Sequence, residues 1–340
     1  YRVYLADHDI RAEIAPTERA AMMRFTFPES DESGVVIDAF DRGSQIGMLD
    51  ARTIVGYTTR NSGGVPDNFR NYFVVRFDTP FTAVELTDAP GEYESGSNLL
   101  YPDGSKSVTG GHAVAKVHFP TRRGQQVCAS VASSFISPEQ AVQNLRELGA
   151  DDFETVKSKA QERWDEVLGR IEVEGGTEEQ MRTFYSCLFR ANLFSRKFYE
   201  RDAEGNPYYY SPYDGKVHAG YMYTDNGFWD TFRSQFPLTN ILHPTMQGRY
   251  MNALLAAQEQ CGWLPSWSAP GETGGMIGNH AISLLTDAWA KGIRTFDPRK
   301  ALEAYAKEAM NKGPWGGANG RAGWKEYWQL GYVSYPESMG

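Results

Sequence analysis

At Ser137 the hydrophobic period of the chain changes abruptly from about two residues to about 3.6, so the two sides cannot share one kind of secondary structure. Ahead of that point, short alternating or β-rich runs at residues 1–5, 10–15, 22–27, 35–40, 53–59, 72–77, 83–86, 113–119 and 127–136 are separated by Gly, Pro, Asp and Asn turns. That spacing reads as an antiparallel β-sandwich. Beyond it, Ser137 is a natural N-cap, Pro138 takes the first helical position, and Gln140 completes a capping box for a helix over 138–148. A second helix over 152–171 sets Phe153, Val156, Ala160, Trp164, Val167 and Leu168 on one stripe.

From Thr177, whose side chain with Gln180 forms another capping box, helical runs cover 181–194, 226–236, 244–261, 279–291 and 298–311. Gly292 and Gly313 are suitable left-handed C-caps, and Asp297–Pro298 opens the last of these helices. No fixed repeat marks a solenoid, so consecutive amphipathic helices without strands favour a closed toroid of paired helices. The division expected is a sandwich over 1–136, a helical linker over 137–176, and the first part of a toroid over 177–340. Tyr1 begins inside a strand without Met or signal peptide, and Gly340 ends in a loop, so the chain reads as an internal fragment truncated at both ends.

Composition narrows the function. At 340 residues the chain exceeds what one core usually fills. A net charge of −9 offers no basic surface for nucleic acid. No apolar run reaches the roughly 18 to 20 residues of a membrane span. Cys128, Cys187 and Cys261 stand far apart without metal-ligand spacing, and read as small buried side chains. The 13% aromatic content is the outlier, because Trp and Tyr stack on sugar rings as readily as they fill cores.

Two segments carry chemistry. In residues 221–238, YMYTDNGFWDTFRSQFPL, Asp225 can cap a helix whose first turn holds Trp229 and Asp230, an aromatic plane beside a carboxylate. Such a pair can stack on a sugar and accept hydrogen bonds from its hydroxyls; equally, Asp230 can pair with Arg233 while Trp229 packs in the core. In residues 262–292, GWLPSWSAPGETGGMIGNHAISLLTDAWAKG, a long turn-rich loop carrying Trp263, Trp267 and Glu272 leads into a helix begun by Asn279 and His280. Asp287, on nearly the same helical face as His280, can reach a pocket or be a hydrogen-bonded structural acid. A glycosidase needs two carboxylic acids, and Asp230, Glu272, Asp287 and Glu337 are candidates that spacing alone cannot pair. There is no G-x-S-x-G, H-E-x-x-H, Walker or G-x-G-x-x-G element.

Three stretches resemble the α-mannosidases of glycoside hydrolase family 92: APTERAAMMRFTFP at 15–28, FWDTFRSQFPL at 228–238 and GGMIGNHAISLLTDAWAKGI at 274–293. The resemblance covers essentially the whole chain. It implies a secreted bacterial enzyme, periplasmic or extracellular, that removes terminal α-mannosides from glycans by a calcium-dependent, inverting single displacement. By position, Trp229 and Asp230 would line the −1 mannose subsite, supported by Arg233, with His280 at the same funnel. The segments that carry the family's catalytic Glu and Asp do not occur here, so the resemblance implies that acid, base and most calcium ligands lie outside this polypeptide. The alternatives are a glycoside phosphorylase or other glycosidase with an (α/α)6 toroid, and a non-catalytic carbohydrate-binding protein.

Overall fold

The structure, a computed structural model, describes residues 1–88, 107–315 and 319–335, and the chain divides into two compact units. The first contains residues 1–60, 70–167 and 200–205; the second contains 61–69, 168–199 and 206–340.

The first unit is built on strands β1 (Arg2–Leu5), β2 (Ile10–Pro16), β3 (Ala20–Thr26), β4 (Ser30–Asp38), β5 (Ser44–Asp50), β6 (Thr53–Thr58), β7 (Asn71–Phe77), β8 (Ala83–Asp88), β9 (Ser107–Gly110), β10 (Ala113–Thr121) and β11 (Gln126–Ser134). Eight of them form one antiparallel sheet in the order β1-β2-β3-β11-β7-β6-β5-β9, and three form a second, β4-β10-β8. Strand β10 shows why: Ala113, Ala115, Val117 and Phe119 are buried, while Lys116 between them is exposed. Alternate residues of one strand therefore face one core. That core takes Ile46, Ile54, Phe77 and Val127 from the large sheet, which makes the pair of sheets a sandwich. Strands β5 and β9 were not among the expected runs. Ser44, Gln45, Gly47 and Asp50 dilute the β-rich signal of β5, which reaches the core through buried Ile46 and partly buried Met48.

The other face of the large sheet carries a second core. Ala15, Met22, Val74 and Ala132 meet Ala141, Leu145, Leu148, Phe153 and Val156, which come from α1 (Pro138–Asn144), the 3-10 turn Leu145–Leu148 and the start of α2 (Phe153–Leu168). Of the residues expected as a linker, 137–167 group with the sandwich, because their apolar stripe has a sheet to cover. The Ser137 side chain accepts from the Gln140 backbone N–H at 3.1 Å, as its cap pattern requires.

In the second unit, α3 (Glu178–Ala191) starts from a complete Thr177/Gln180 capping box. Helices α4 (Phe228–Thr231), α5 (Gln235–Leu242), α6 (Pro244–Cys261), α7 (Ala281–Ala290), α8 (Pro298–Met310) and α9 (Trp324–Leu330) follow. Helix α6 packs against α5, α7 and α8 through a core that includes Met251, Leu254, Leu255, Leu264, Leu284 and Ala288.

Several expectations are corrected here. The helix expected over 226–236 is two pieces: Ser234, at φ −137°, breaks it, and Pro237, which lacks an N–H, sits in the first turn of α5. The second unit also contains short strands. Arg196–Lys197 pairs with Tyr223–Thr224, Pro207–Tyr210 with Val217–Ala219, and Asn226–Gly227 with Trp267–Ser268. Gly292 does adopt the left-handed conformation, at φ 91°, but Gly313 does not; its N–H bonds to the Asn319 carbonyl at 3.0 Å instead. Cys187 is exposed on α3, whereas Cys128 and Cys261 are partly covered; all three are free thiols.

Candidate functional site

The antiparallel pairing of Asn226 with Ser268 and of Gly227 with Trp267 joins the two segments singled out in the sequence. The Phe228 N–H completes the junction by donating to the Ser266 carbonyl at 3.2 Å. Immediately after this junction the chain turns into α4, which presents Trp229 and Asp230 outward; Trp229 is 39% exposed. Phe228, the preceding residue, is buried against Phe236 and Tyr250 and anchors the turn.

Asp225 does not cap this helix. It sits at φ 61°, a left-handed conformation that Asp tolerates better than most residues, and pairs with Arg196 at 2.7 Å. Burial pushes its carboxyl above the ordinary range and Arg196 partly offsets this. Asn226 acts on the turn instead: its Oδ1 accepts from the Thr231 hydroxyl at 2.7 Å, and its Nδ2 donates to Ser195 Oγ at 2.9 Å.

Arg233 does not pair with Asp230. Its guanidinium lies 4.6 Å from the Trp229 ring centroid and 4.4 Å from that of Phe232, and it donates to the Trp229 carbonyl. Guanidinium is weakly hydrated and stacks readily on aromatic faces. Asp230 is thereby left exposed, with no hydrogen-bond or ion-pair partner among the described residues.

His280 is the N-cap residue of α7, and its ring stacks on Phe232 at 4.3 Å with an interplanar angle of 8°. Burial, reinforced by the Arg233 charge, lowers its basicity below the ordinary histidine value. Phe232 therefore connects His280 to Arg233 and Trp229. The structure brings the four residues chosen from sequence into one region of the second unit.

The other candidate carboxylates have different fates. Glu272 is 3% exposed and accepts from the backbone N–H of Ser266 (2.6 Å), Trp267 (3.3 Å) and Gly274 (2.8 Å) and from the Ser266 hydroxyl (2.9 Å). It organises the loop. Asp287 accepts from Lys291 at 2.6 Å and from Asn240 at 2.8 Å, the structural alternative of its two readings. Glu337 lies outside the described residues. Sequence reasoning missed Glu308, which is buried on α8 and accepts from the N–H groups of Leu264 (2.8 Å) and Gly320 (2.6 Å) and from the Asn279 amide. Only its place in an amphipathic helix spoke for it, and that pattern predicts a solvated face.

An exposed turn of the largely helical unit thus presents a carboxylate and an aromatic ring, the two kinds of group that sugar-binding surfaces use. Residues 1–134 match the glycosyl hydrolase family 92 N-terminal domain and residues 140–340 match the family 92 catalytic domain, so the chain belongs to glycosyl hydrolase family 92. An inverting mannosidase of this family from Bacteroides thetaiotaomicron is 44% identical, with a TM-score of 0.92 over 99% of this chain and 45% of its own. A family 92 α-mannosidase of the same organism, in complex with mannoimidazole, is 28% identical, with a TM-score of 0.86 over 98% of this chain and 43% of its own. An uncharacterized secreted glycosidase from Arthroderma benhamiae is 26% identical over 96% of this chain and 40% of its own length. The chain thus spans less than half the length of each of these relatives.

Proposed function

We propose that this chain contributes a β-sandwich and the first part of an (α/α)6 toroid to an exo-acting α-mannosidase, and that Trp229, Asp230, Arg233 and His280 line the subsite for one terminal mannose. The observation that carries this reading is the unpaired Asp230 carboxylate beside the exposed Trp229 ring. An ionised carboxylate accepts charge-assisted hydrogen bonds from two neighbouring hydroxyls, and an indole covers the apolar face of a pyranose. Arg233, fixed between rings, supplies positive charge without neutralising Asp230.

Inverting hydrolysis requires one carboxylic acid to protonate the leaving oxygen and a second carboxylate, about 6.5 to 9.5 Å away, to activate water. Among the candidate carboxylates described, Asp230 alone is exposed and unpaired, and one group cannot fill both roles. In the proposal, the acid and base of the intact enzyme come from sequence beyond these 340 residues. The proposal places most of the calcium ligands in that same sequence. The proposed place of action is outside the cytoplasm, in keeping with the secreted relative. Among the described residues no helix is long and apolar enough to cross a membrane.

The test is binding of methyl α-mannoside to the 340-residue chain, followed by ligand-observed NMR. Saturable binding is expected, with no release of mannose, and Asp230→Ala is expected to weaken it roughly 10- to 100-fold, the worth of hydrogen bonds to a charged group. No binding, or equal binding by the variant, would overturn the reading.

A further inference from the structure

Gly227 sits where two side chains converge, with no room beyond a methyl group between them. A Cβ placed on it would lie 3.3 Å from Asp230 Oδ2 and 3.4 Å and 3.5 Å from Trp267 Cδ2 and Cε2. The carboxylate and the indole of Trp267 thus meet at one glycine. Trp267 is half-buried, and its ring edge would also stand 3.9 Å from a Cβ on Gly275. Small residues flank the indole on both sides.

The backbone of Trp267 is fixed at both ends of the residue. Its N–H donates to Glu272, and its carbonyl accepts from the Thr273 N–H at 3.1 Å and the Thr273 hydroxyl at 3.2 Å. Next in the chain, the Ser268 hydroxyl is hydrogen-bonded to Tyr213 at 2.7 Å. Glu272 itself is a buried carboxylate with no cation beside it among the described residues, compensated by hydrogen-bond donors that all belong to residues 266–274. Burying a carboxyl group is costly unless donors meet it, and the donors that do so here tie the loop that carries Trp267 into one conformation.

We propose that Trp267, which meets Asp230 at Gly227, is a further sugar-contacting aromatic, and that Glu272 is its positioning residue. The inference rests on the mannose-subsite reading and extends it. Asp230 holds hydroxyls at the edge of the pyranose while the Trp267 indole covers a C–H face, and the glycine at 227 keeps the carboxylate and the indole close enough to serve one sugar.

Binding of methyl α-mannoside to the 340-residue chain tests this. Gly227→Ala is the cleanest probe, because φ −95° and ψ 111° suit alanine and the new methyl group would press on the Asp230 carboxylate and the Trp267 indole, the two groups in question. It is expected to weaken binding about tenfold with little change in melting temperature, and Trp267→Ala is expected to weaken it about as much. Intrinsic tryptophan emission should respond to the sugar in Trp229→Phe and lose much of that response in Trp267→Phe. For Glu272→Gln, the loss in affinity should largely vanish in a Trp267→Ala background, as a double-mutant cycle of coupled residues requires. If the wild type binds and Asp230→Ala does not, yet the Gly227 and Trp267 variants bind as the wild type does, this inference fails while the subsite reading stands. An undiminished Glu272→Gln effect without Trp267 would remove Glu272 from the positioning role. If Asp230→Ala binds as well as the wild type, the subsite reading itself is lost.

Discussion

Arg233 sets the electrostatics of the exposed turn. Its cation lies over Trp229 and Phe232, and Phe232 in turn stacks on His280. Burial and this nearby cation both disfavour the imidazolium, so His280 is expected to titrate below its ordinary value of 6.5. A lowered folded value means that the contribution of His280 to stability is present above pH 6.5 and is lost as pH falls through the folded value. NMR titration of the ring checks this: Arg233→Met should move the midpoint back toward 6.5, and an unmoved midpoint would show that the charge is not felt. Arg233→Lys should not restore the wild-type midpoint or packing, since an ammonium cannot stack as a planar guanidinium does. Trp229, Asp230 and Arg233 were legible because they lie within five residues of each other in one motif. The choice between an Asp230–Arg233 pair and a ring-bound Arg233 was not, because it depends on Phe232 and His280 meeting across 48 residues of chain. Trp267 gave no periodic signal at all, and only the length of its loop drew notice.

At the scale of elements, Glu308 ties the end of one loop to the start of another. Removing its carboxylate leaves the N–H groups of Leu264 and Gly320 and the Asn279 amide without an acceptor. Glu308→Ala should therefore cost about 3 kcal/mol in urea unfolding, the penalty of orphaned buried donors. Burial, partly offset by those hydrogen bonds, holds the Glu308 carboxyl above its ordinary value of 4.5, so folding takes up a proton there. Its contribution to stability is present below pH 4.5 and is lost as pH rises through the folded value. Wild type should accordingly lose ground against Glu308→Gln as unfolding is repeated from pH 4.5 upward. Glu200, buried between Ser134, Phe135 and Asn144, is shifted the same way for the same reason. Helix starts were legible where a side chain caps its own turn, as at Ser137, Thr177 and Asp297. The two-residue strands of the second unit were not, because their pairing partners lie far along the chain and their lengths show no period.

For the whole molecule, the change of period at Ser137 did mark where strands give way to helices, and the family match falls on both sides of it. The linear boundary is nonetheless not the boundary between the compact units. Residues 61–69, written in the middle of the strand region, group with the second unit. There Asn68 donates to the Gly215 carbonyl at 2.9 Å and accepts from the Tyr210 hydroxyl at 3.0 Å, while Phe69 packs edge-on against Tyr210. Neither half of this gene is therefore a cassette that recombination could trade intact: a polypeptide of residues 137–340 alone would lack a strap that belongs to its own fold. Faster amide exchange around Tyr210 in that shortened protein than in the 340-residue chain is the expected mark of the missing piece.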